Sequence, residues 1–117
     1  MSAKEARAVK ARDERTPKAL GVSDQDLLQM YYFVRLARAV DERMWALQRS
    51  GQAAFVISGQ GHEGAQVGVV SALDREKDWL VPFYRSVAAV LVKGMPPAEI
   101  FLIQLSKATD PSSGGRQ

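Results

Sequence analysis

The clearest pattern of apolar and polar positions follows Ser23. Apolar residues there recur at spacings of three, four or seven, which indicates one face of an amphipathic helix. These residues are Leu27, Met30, Tyr31, Val34, Ala37, Met44 and Leu47. Ser23 suits an N-cap, and Asp24 and Asp26 place negative charge in the first turn. Gly51 suits the position just after the C-cap, so we predict one long helix that ends close to Arg49.

After this helix the apolar segments become shorter. They predict an extended stretch at 52–57, a loop at 58–64, a helix from 65 to about 73, a strand at 79–81, a helix at 86–93 and a helix from 98 to about 107. Pro96 and Pro97 open the last of these helices, where proline is tolerated. The later helices are apolar on nearly all sides, so we expect this chain to be part of a larger α/β structure.

Composition supports an ordinary globular chain. Apolar residues make up 46% and charged residues 25% of the 117 positions. These values argue against disorder, and no apolar run approaches the roughly 20 residues that cross a bilayer. There is no cysteine, which excludes disulfides and thiolate sites within the chain. We therefore expect a cytoplasmic protein with no membrane partner.

The net charge of +3 lies in the N-terminal arm. Residues 1–18 hold six basic and three acidic side chains, which accounts for the whole excess. Such an arm could bind nucleic acid or another anionic surface. It carries no aromatic residue to stack on bases, so we favour a flexible extension at 1–22 and expect no nucleic-acid partner.

A glycine-rich loop at 59–64 is the first candidate site. Three glycines ahead of a helix could present backbone N–H groups to an anion. Their spacing matches neither the dinucleotide fingerprint nor a P-loop, so we favour a structural loop in which Glu63 stabilises the start of the helix. His62 is the only histidine, which excludes a multi-histidine metal site. It could act as a general base, although a lone loop histidine is more often incidental.

The corner at 81–85 is the second candidate. A strand that ends at Pro-Phe-Tyr-Arg and opens a helix lies where open α/β sheets bind ligands. Arg85 can form bidentate bonds to phosphate, and Tyr84 adds a hydroxyl donor. The alternative is a core arginine paired with a carboxylate, and the residues alone leave both interpretations open. Arg116 could also close over an anion, although an exposed tail is favoured.

In order, these segments resemble the α subunit of the E1 component of thiamine-diphosphate-dependent 2-oxoacid dehydrogenases. The motifs that carry the resemblance are RAVDER at 38–43, Gly51 and Phe55, GHEGAQV at 61–67, Asp78-Trp79, Phe83-Tyr84-Arg85, Gly94-Met95-Pro96 and Gly115-Arg116-Gln117. Their order and spacing over roughly 24–117 is the signal, since no single motif is decisive. The Gly-Arg-Gln segment resembles the branched-chain (2-oxoisovalerate) type more than the pyruvate type.

The resemblance implies roles for three residues. Tyr84 and Arg85 match residues that contact the cofactor diphosphate, and Phe55 matches a residue beside the substrate pocket. No residue of this chain is assigned a catalytic or metal-binding role, His62 included. Residues 23–117 are expected to form the mostly helical N-terminal portion of a thiamine-diphosphate-binding domain. That domain would be incomplete here, with the Mg²⁺ ligands and catalytic histidines further downstream.

The implied activity is oxidative decarboxylation of a branched-chain 2-oxoacid with acyl transfer to the lipoyl group of E2. The implied partner is an E1 β subunit in an α₂β₂ assembly, and this chain alone is expected to be inactive. Three alternatives remain at this stage. They are a pyruvate- or acetoin-type E1 α subunit, a truncated non-catalytic module that binds a partner subunit, and an anion- or nucleic-acid-binding protein that uses the basic arm.

Overall fold

The computed structural model describes residues 16–112. Within this range the chain forms four helices: α1 (Asp24–Arg49), α2 (Glu63–Ser71), α3 (Val87–Lys93) and α4 (Pro97–Gln104). The predicted mostly helical portion is confirmed. Most of the proposed 1–22 extension and all of the Gly115-Arg116-Gln117 segment lie outside the described residues. None of the helices in the described range combines the length and apolarity that a membrane span requires.

Both ends of α1 follow from local sequence. The backbone N–H of Asp26 donates to the Ser23 hydroxyl at 3.1 Å, and the N–H of Ser23 donates back to the Asp26 carboxylate at 2.9 Å. This capping box satisfies two backbone donors at the start of the helix. At the other end Gly51 has φ +74°, and the N–H of Gln52 reaches the carbonyl of Leu47 at 2.9 Å. The long helix predicted from the apolar stripe is confirmed.

The core lies where α2 and α3 pack against each other and against α1, and α4 packs on α1. The buried side chains of this core come from every helix and from the segment after α1: Ala37, Val40, Met44 and Leu47 of α1, Ala53 and Val56 after it, Val67 and Val70 of α2, Ala88, Ala89, Leu91 and Val92 of α3, and Ile100 of α4. The small alanines of α3 let its backbone approach its neighbours. Burial of this apolar surface is the main force that holds the short helices together.

The strand predicted at 79–81 is not present in the described residues. The segment 52–57, predicted to be extended, begins with bends at 52–54 that follow α1, and the N–H of Ala53 donates to the Leu47 carbonyl at 3.2 Å. The Phe55 carbonyl accepts a hydrogen bond from the Gln104 side chain. At 79–81, Trp79 and Val81 are 95% and 93% exposed. A strand needs a second strand to pair with, and no strand occurs within 16–112 to supply one.

Helix boundaries differ slightly from those predicted. Helix α2 begins at Glu63 rather than 65, because the Glu63 carboxylate accepts the N–H of Gly61 and holds the turn before it. Helix α3 is confirmed at Val87–Lys93, with Gly94 at φ +114° as its C-cap. Helix α4 ends at Gln104, before the predicted 107, because the chain turns at Ser106 with φ +49°.

Candidate functional site

A buried carboxylate of α1 organises the glycine-rich loop. Asp41 is only 2% exposed. One of its oxygens accepts the backbone N–H of Gly59 at 2.8 Å. The other accepts the Ser58 hydroxyl at 2.8 Å and the Gln60 side-chain amide at 2.9 Å. The loop therefore turns its donors inward to the protein's own carboxylate.

The carboxylate of Glu63 binds the other end of the same loop. It accepts the N–H of Gly61 at 2.8 Å and the Nε of Arg38 at 2.6 Å. The hydrogen bond from Arg38 holds the pKa of the Glu63 carboxyl below its ordinary value, against the opposing effect of burial. This arrangement agrees with the structural interpretation of the loop. His62 is exposed and makes no side-chain cap to α2.

The aromatic–arginine corner is a tight turn at the start of α3. The N–H of Ser86 donates to the Phe83 carbonyl at 2.7 Å, and the N–H of Phe83 donates to the Ser86 hydroxyl at 3.1 Å. The rings of Phe83 and Tyr84 lie together, with centroids 3.7 Å apart. The Arg85 guanidinium carbon lies 4.6 Å from the Tyr84 ring centroid and 5.1 Å from that of Phe83. Stacking of this kind orients the guanidinium plane.

Arg85 forms no ion pair within residues 16–112, where the ion pairs are Arg38–Glu63 and Lys77–Asp74. Phe83 and Tyr84 are 54% and 48% exposed. The alternative of a core arginine paired with a carboxylate is therefore not what the structure shows. Arg85 is half-buried, and its guanidinium lies against the exposed ring of Tyr84.

The main chain of this corner is held from two sides. The Arg85 carbonyl accepts the Nε2 of Gln66 at 3.0 Å. A methyl group added to Gly59 would lie 2.9 Å from the same carbonyl oxygen, so only glycine permits this approach. Sequence reasoning missed both contacts. The sequence feature that could have pointed to Gln66 is its polar side chain among the small and apolar residues of α2.

Phe55 lies in the loop after α1. Its side chain is 65% exposed. It is not among the residues around the small cavity beside Arg85, which measures about 10 Å³ and is lined by Asp41, Gly59, Gln66 and neighbours. Within residues 16–112, Tyr84 and Arg85 are in contact, whereas Phe55 does not line the cavity beside Arg85. In this range no group of three or more His, Cys, Asp or Glu residues could hold a metal ion.

Comparison with known proteins places these residues in a family context. The family model "Dehydrogenase E1 component" matches residues 31–117. The chain is 52% identical over 100 residues to the 2-oxoisovalerate dehydrogenase subunit alpha of Bacillus subtilis (strain 168), which covers 86% of this chain and 30% of that protein. No solved structure shows a significant match.

Two further relatives are more distant. The Mycoplasma genitalium pyruvate dehydrogenase E1 component subunit alpha is 35% identical over 81 residues, covering 69% of this chain and 22% of that protein. The 3-methyl-2-oxobutanoate dehydrogenase subunit alpha of Mycobacterium tuberculosis (strain H37Rv) is 36% identical over 77 residues, covering 66% and 21%. The chain spans less than a third of the length of these relatives. The family match over 31–117 confirms the resemblance read from the ordered motifs, and the chain belongs to the dehydrogenase E1 component family.

Proposed function

We propose that this chain forms part of the α subunit of a branched-chain 2-oxoacid dehydrogenase E1. The activity would be oxidative decarboxylation of a branched-chain 2-oxoacid, with transfer of the acyl group to the lipoyl group of E2. The motif order supports an E1 α subunit. The 52% identity to a 2-oxoisovalerate dehydrogenase subunit, against 35% to a pyruvate dehydrogenase subunit, favours the branched-chain substrate class.

The proposed role of this segment rests on one observation, the environment of the Arg85 guanidinium. This guanidinium is stacked on an aromatic ring and has no carboxylate partner within 16–112. Stacking fixes the plane of the group and leaves its edge free to donate parallel hydrogen bonds to a phosphate. We assign Arg85 and Tyr84 to the diphosphate of thiamine diphosphate, with the Tyr84 hydroxyl as an additional donor.

The donor set suits a diphosphate, because a cation and a residue with a hydroxyl donor lie side by side, with the Arg85 guanidinium carbon 4.6 Å from the Tyr84 ring centroid. When bound, thiamine diphosphate would supply the carbanion and the electron sink for decarboxylation. Arg85 and Tyr84 would bind and orient it, which is a positioning contribution. We expect Mg²⁺ to take its ligands outside the described residues. The E1 β subunit and a lipoyl-bearing E2 are the proposed partners, and the cytoplasm is the proposed location.

The test of the diphosphate role is Arg85→Ala in an E1 assembly that carries this chain. Calorimetric titration with thiamine diphosphate and Mg²⁺ should show the Kd rise by about 10- to 100-fold, the loss expected for a hydrogen bond to a charged group. Arg85→Lys should give an intermediate Kd, because it keeps the charge but loses the planar fork. Arg43→Ala, at an exposed arginine of α1, is the matched control. An unchanged Kd for Arg85→Ala would refute the role.

We also propose that Phe55 contributes an apolar wall to the substrate pocket. Its ring is exposed in the described residues and therefore available to a ligand or to another part of the assembly. Phe55→Ala should raise KM for a branched-chain 2-oxoacid more than it lowers kcat, and should leave the Kd of thiamine diphosphate unchanged. Comparing kcat/KM for 3-methyl-2-oxobutanoate and pyruvate tests the substrate class. A preference for pyruvate would favour the pyruvate-type alternative.

A further inference from the structure

Gln66 uses both ends of its side-chain amide to join α2 to the aromatic–arginine corner. Its Nε2 donates to the Arg85 carbonyl at 3.0 Å. Its Oε1 accepts the backbone N–H of Ala89 at 3.3 Å. Its neighbours Val67 and Val70 are buried in the core, so the backbone that carries Gln66 is well anchored. The side chain therefore links a packed helix to the turn that carries Arg85.

The bond to Ala89 completes the start of α3. Ala89 is the third residue of that helix, and its N–H is one of the first donors that have no partner inside the helix. Ser86 occupies the N-cap position but makes no side-chain cap, because its hydroxyl accepts the N–H of Phe83 instead. Gln66, 23 positions earlier in the sequence than Ala89, thus supplies the side-chain cap that Ser86 does not.

The bond to Arg85 acts on the residue that presents the guanidinium. The Arg85 carbonyl lies against Gly59, where a methyl group would be 2.9 Å away. Gly59 is in turn held by the buried carboxylate of Asp41. The main chain of Arg85 is therefore located between the loop bonded to Asp41 on one side and the Gln66 amide on the other.

From this geometry we infer that Gln66 is a positioning residue for the diphosphate-binding side chain of Arg85. The inference rests on the proposed function of Arg85. Gln66 fixes the carbonyl of Arg85 and the first turn of α3, and so determines where the guanidinium lies before any ligand arrives. A displacement of about 1 Å in a binding group is enough to weaken the interactions it makes.

Two substitutions separate the two bonds. Gln66→Met has a similar length and removes both. Gln66→Glu keeps an oxygen for the N–H of Ala89 but loses the donor to the Arg85 carbonyl. Gln25→Met, at an exposed glutamine in the first turn of α1, is the control. Each variant is measured in an E1 assembly that carries this chain, with and without Arg85→Ala.

Thiamine diphosphate with Mg²⁺ is the probe. Gln66→Met should raise its Kd by about five- to tenfold when Arg85 is present, and by less than about twofold in the Arg85→Ala background. Gln66→Glu should also raise the Kd while keeping the Ala89 amide protected from hydrogen exchange. Gln66→Met should lose that protection. A residue that only stabilised the fold would not show this dependence on Arg85. If Gln66→Met does not fold, the Kd of Gln66→Glu with and without Arg85→Ala decides the question.

The outcomes distinguish this inference from the proposed function. If Arg85→Ala raises the Kd but the Gln66 variants do not, or if their effects add fully, positioning by Gln66 is refuted and the diphosphate role of Arg85 stands. If Arg85→Ala leaves the Kd unchanged, the proposed function fails and the positioning role fails with it. Exchange at Ala89 still reports in that case on whether Gln66 caps α3.

Discussion

The buried carboxylate of Asp41 accepts the backbone N–H of Gly59 at 2.8 Å, across 18 positions of the sequence. This bond joins the middle of α1 to the loop on which the main chain of Arg85 rests. Because the Ser58 hydroxyl and the Gln60 amide bind the same carboxylate, all of its hydrogen bonds come from one loop. The loop conformation therefore depends on a helix residue remote from it in sequence.

Asp41→Asn should destabilise the folded chain. The amide keeps one acceptor oxygen but turns an NH₂ group toward donors, so at least one buried hydrogen bond is lost. We expect the free energy of unfolding to fall by about 1–3 kcal/mol, measured by urea denaturation. Glu42→Gln, at the exposed neighbouring position, is the control and should change it by less than about 0.5 kcal/mol. Equal effects of the two substitutions would contradict the role of Asp41.

The Arg38–Glu63 pair predicts a pH dependence. The hydrogen bond from Arg38 lowers the pKa of Glu63 in the folded chain. The unfolded chain therefore binds a proton more readily at this site, and the stabilisation is complete above the ordinary glutamate pKa of about 4.3. It is lost as the pH falls through the lower pKa of the folded state. Unfolding measured between neutral pH and about pH 3 should show this loss.

Glu63→Gln should lower stability at neutral pH by about 1 kcal/mol, since Arg38 is partly exposed and the pair is partly screened. The variant should also show a shallower loss of stability in acid, because the titrating group has been removed. Glu76→Gln, at an exposed glutamate, should leave the acid profile unchanged. If Glu63→Gln and the parent lose stability in parallel, Glu63 does not contribute to the acid dependence.

Two glycines should respond in opposite directions to alanine. Gly59→Ala would place a methyl group 2.9 Å from the Arg85 carbonyl oxygen, so backbone must move and stability should fall by about 1–3 kcal/mol. Gly68→Ala lies in α2 with nothing within 4 Å, and should raise stability by about 0.5–1 kcal/mol through helix propensity. Thermal unfolding of both variants checks the contrast. A loss at Gly59 no larger than the change at Gly68 would show that the close approach is unimportant.

Lys93 should hold the turn at 74–78. Its ammonium donates to the carbonyls of Arg75 at 2.8 Å and Asp78 at 2.7 Å. Lys93→Met should therefore speed hydrogen exchange in this turn and lower stability by about 1 kcal/mol. Lys77→Met removes a lysine from the same turn. Because its ion pair is largely exposed, it should cost less than about 0.5 kcal/mol. Unchanged exchange in Lys93→Met would rule out this role.

The helices could be read from the sequence because their signals are local. The Ser23–Asp26 capping box, the apolar stripe of α1 and the left-handed Gly51 all act within a few residues of the structure they specify. The strand at 79–81 could not be assigned in this way. A short apolar run such as 79–81 becomes a strand only when another strand lies beside it, and the residues described here contain none.

Membership of the E1 family was also available from the sequence, because the order and spacing of motifs is linear information. The arrangement around Arg85 was not. Whether a carboxylate pairs with it, and which residues hold its main chain, depends on contacts across 19 positions to Gln66 and across a close approach to Gly59. Such contacts exist only after α1, α2 and α3 have packed. The sequence alone thus determined the helices, the family and the candidate residues, whereas the tertiary structure decided which of them meet.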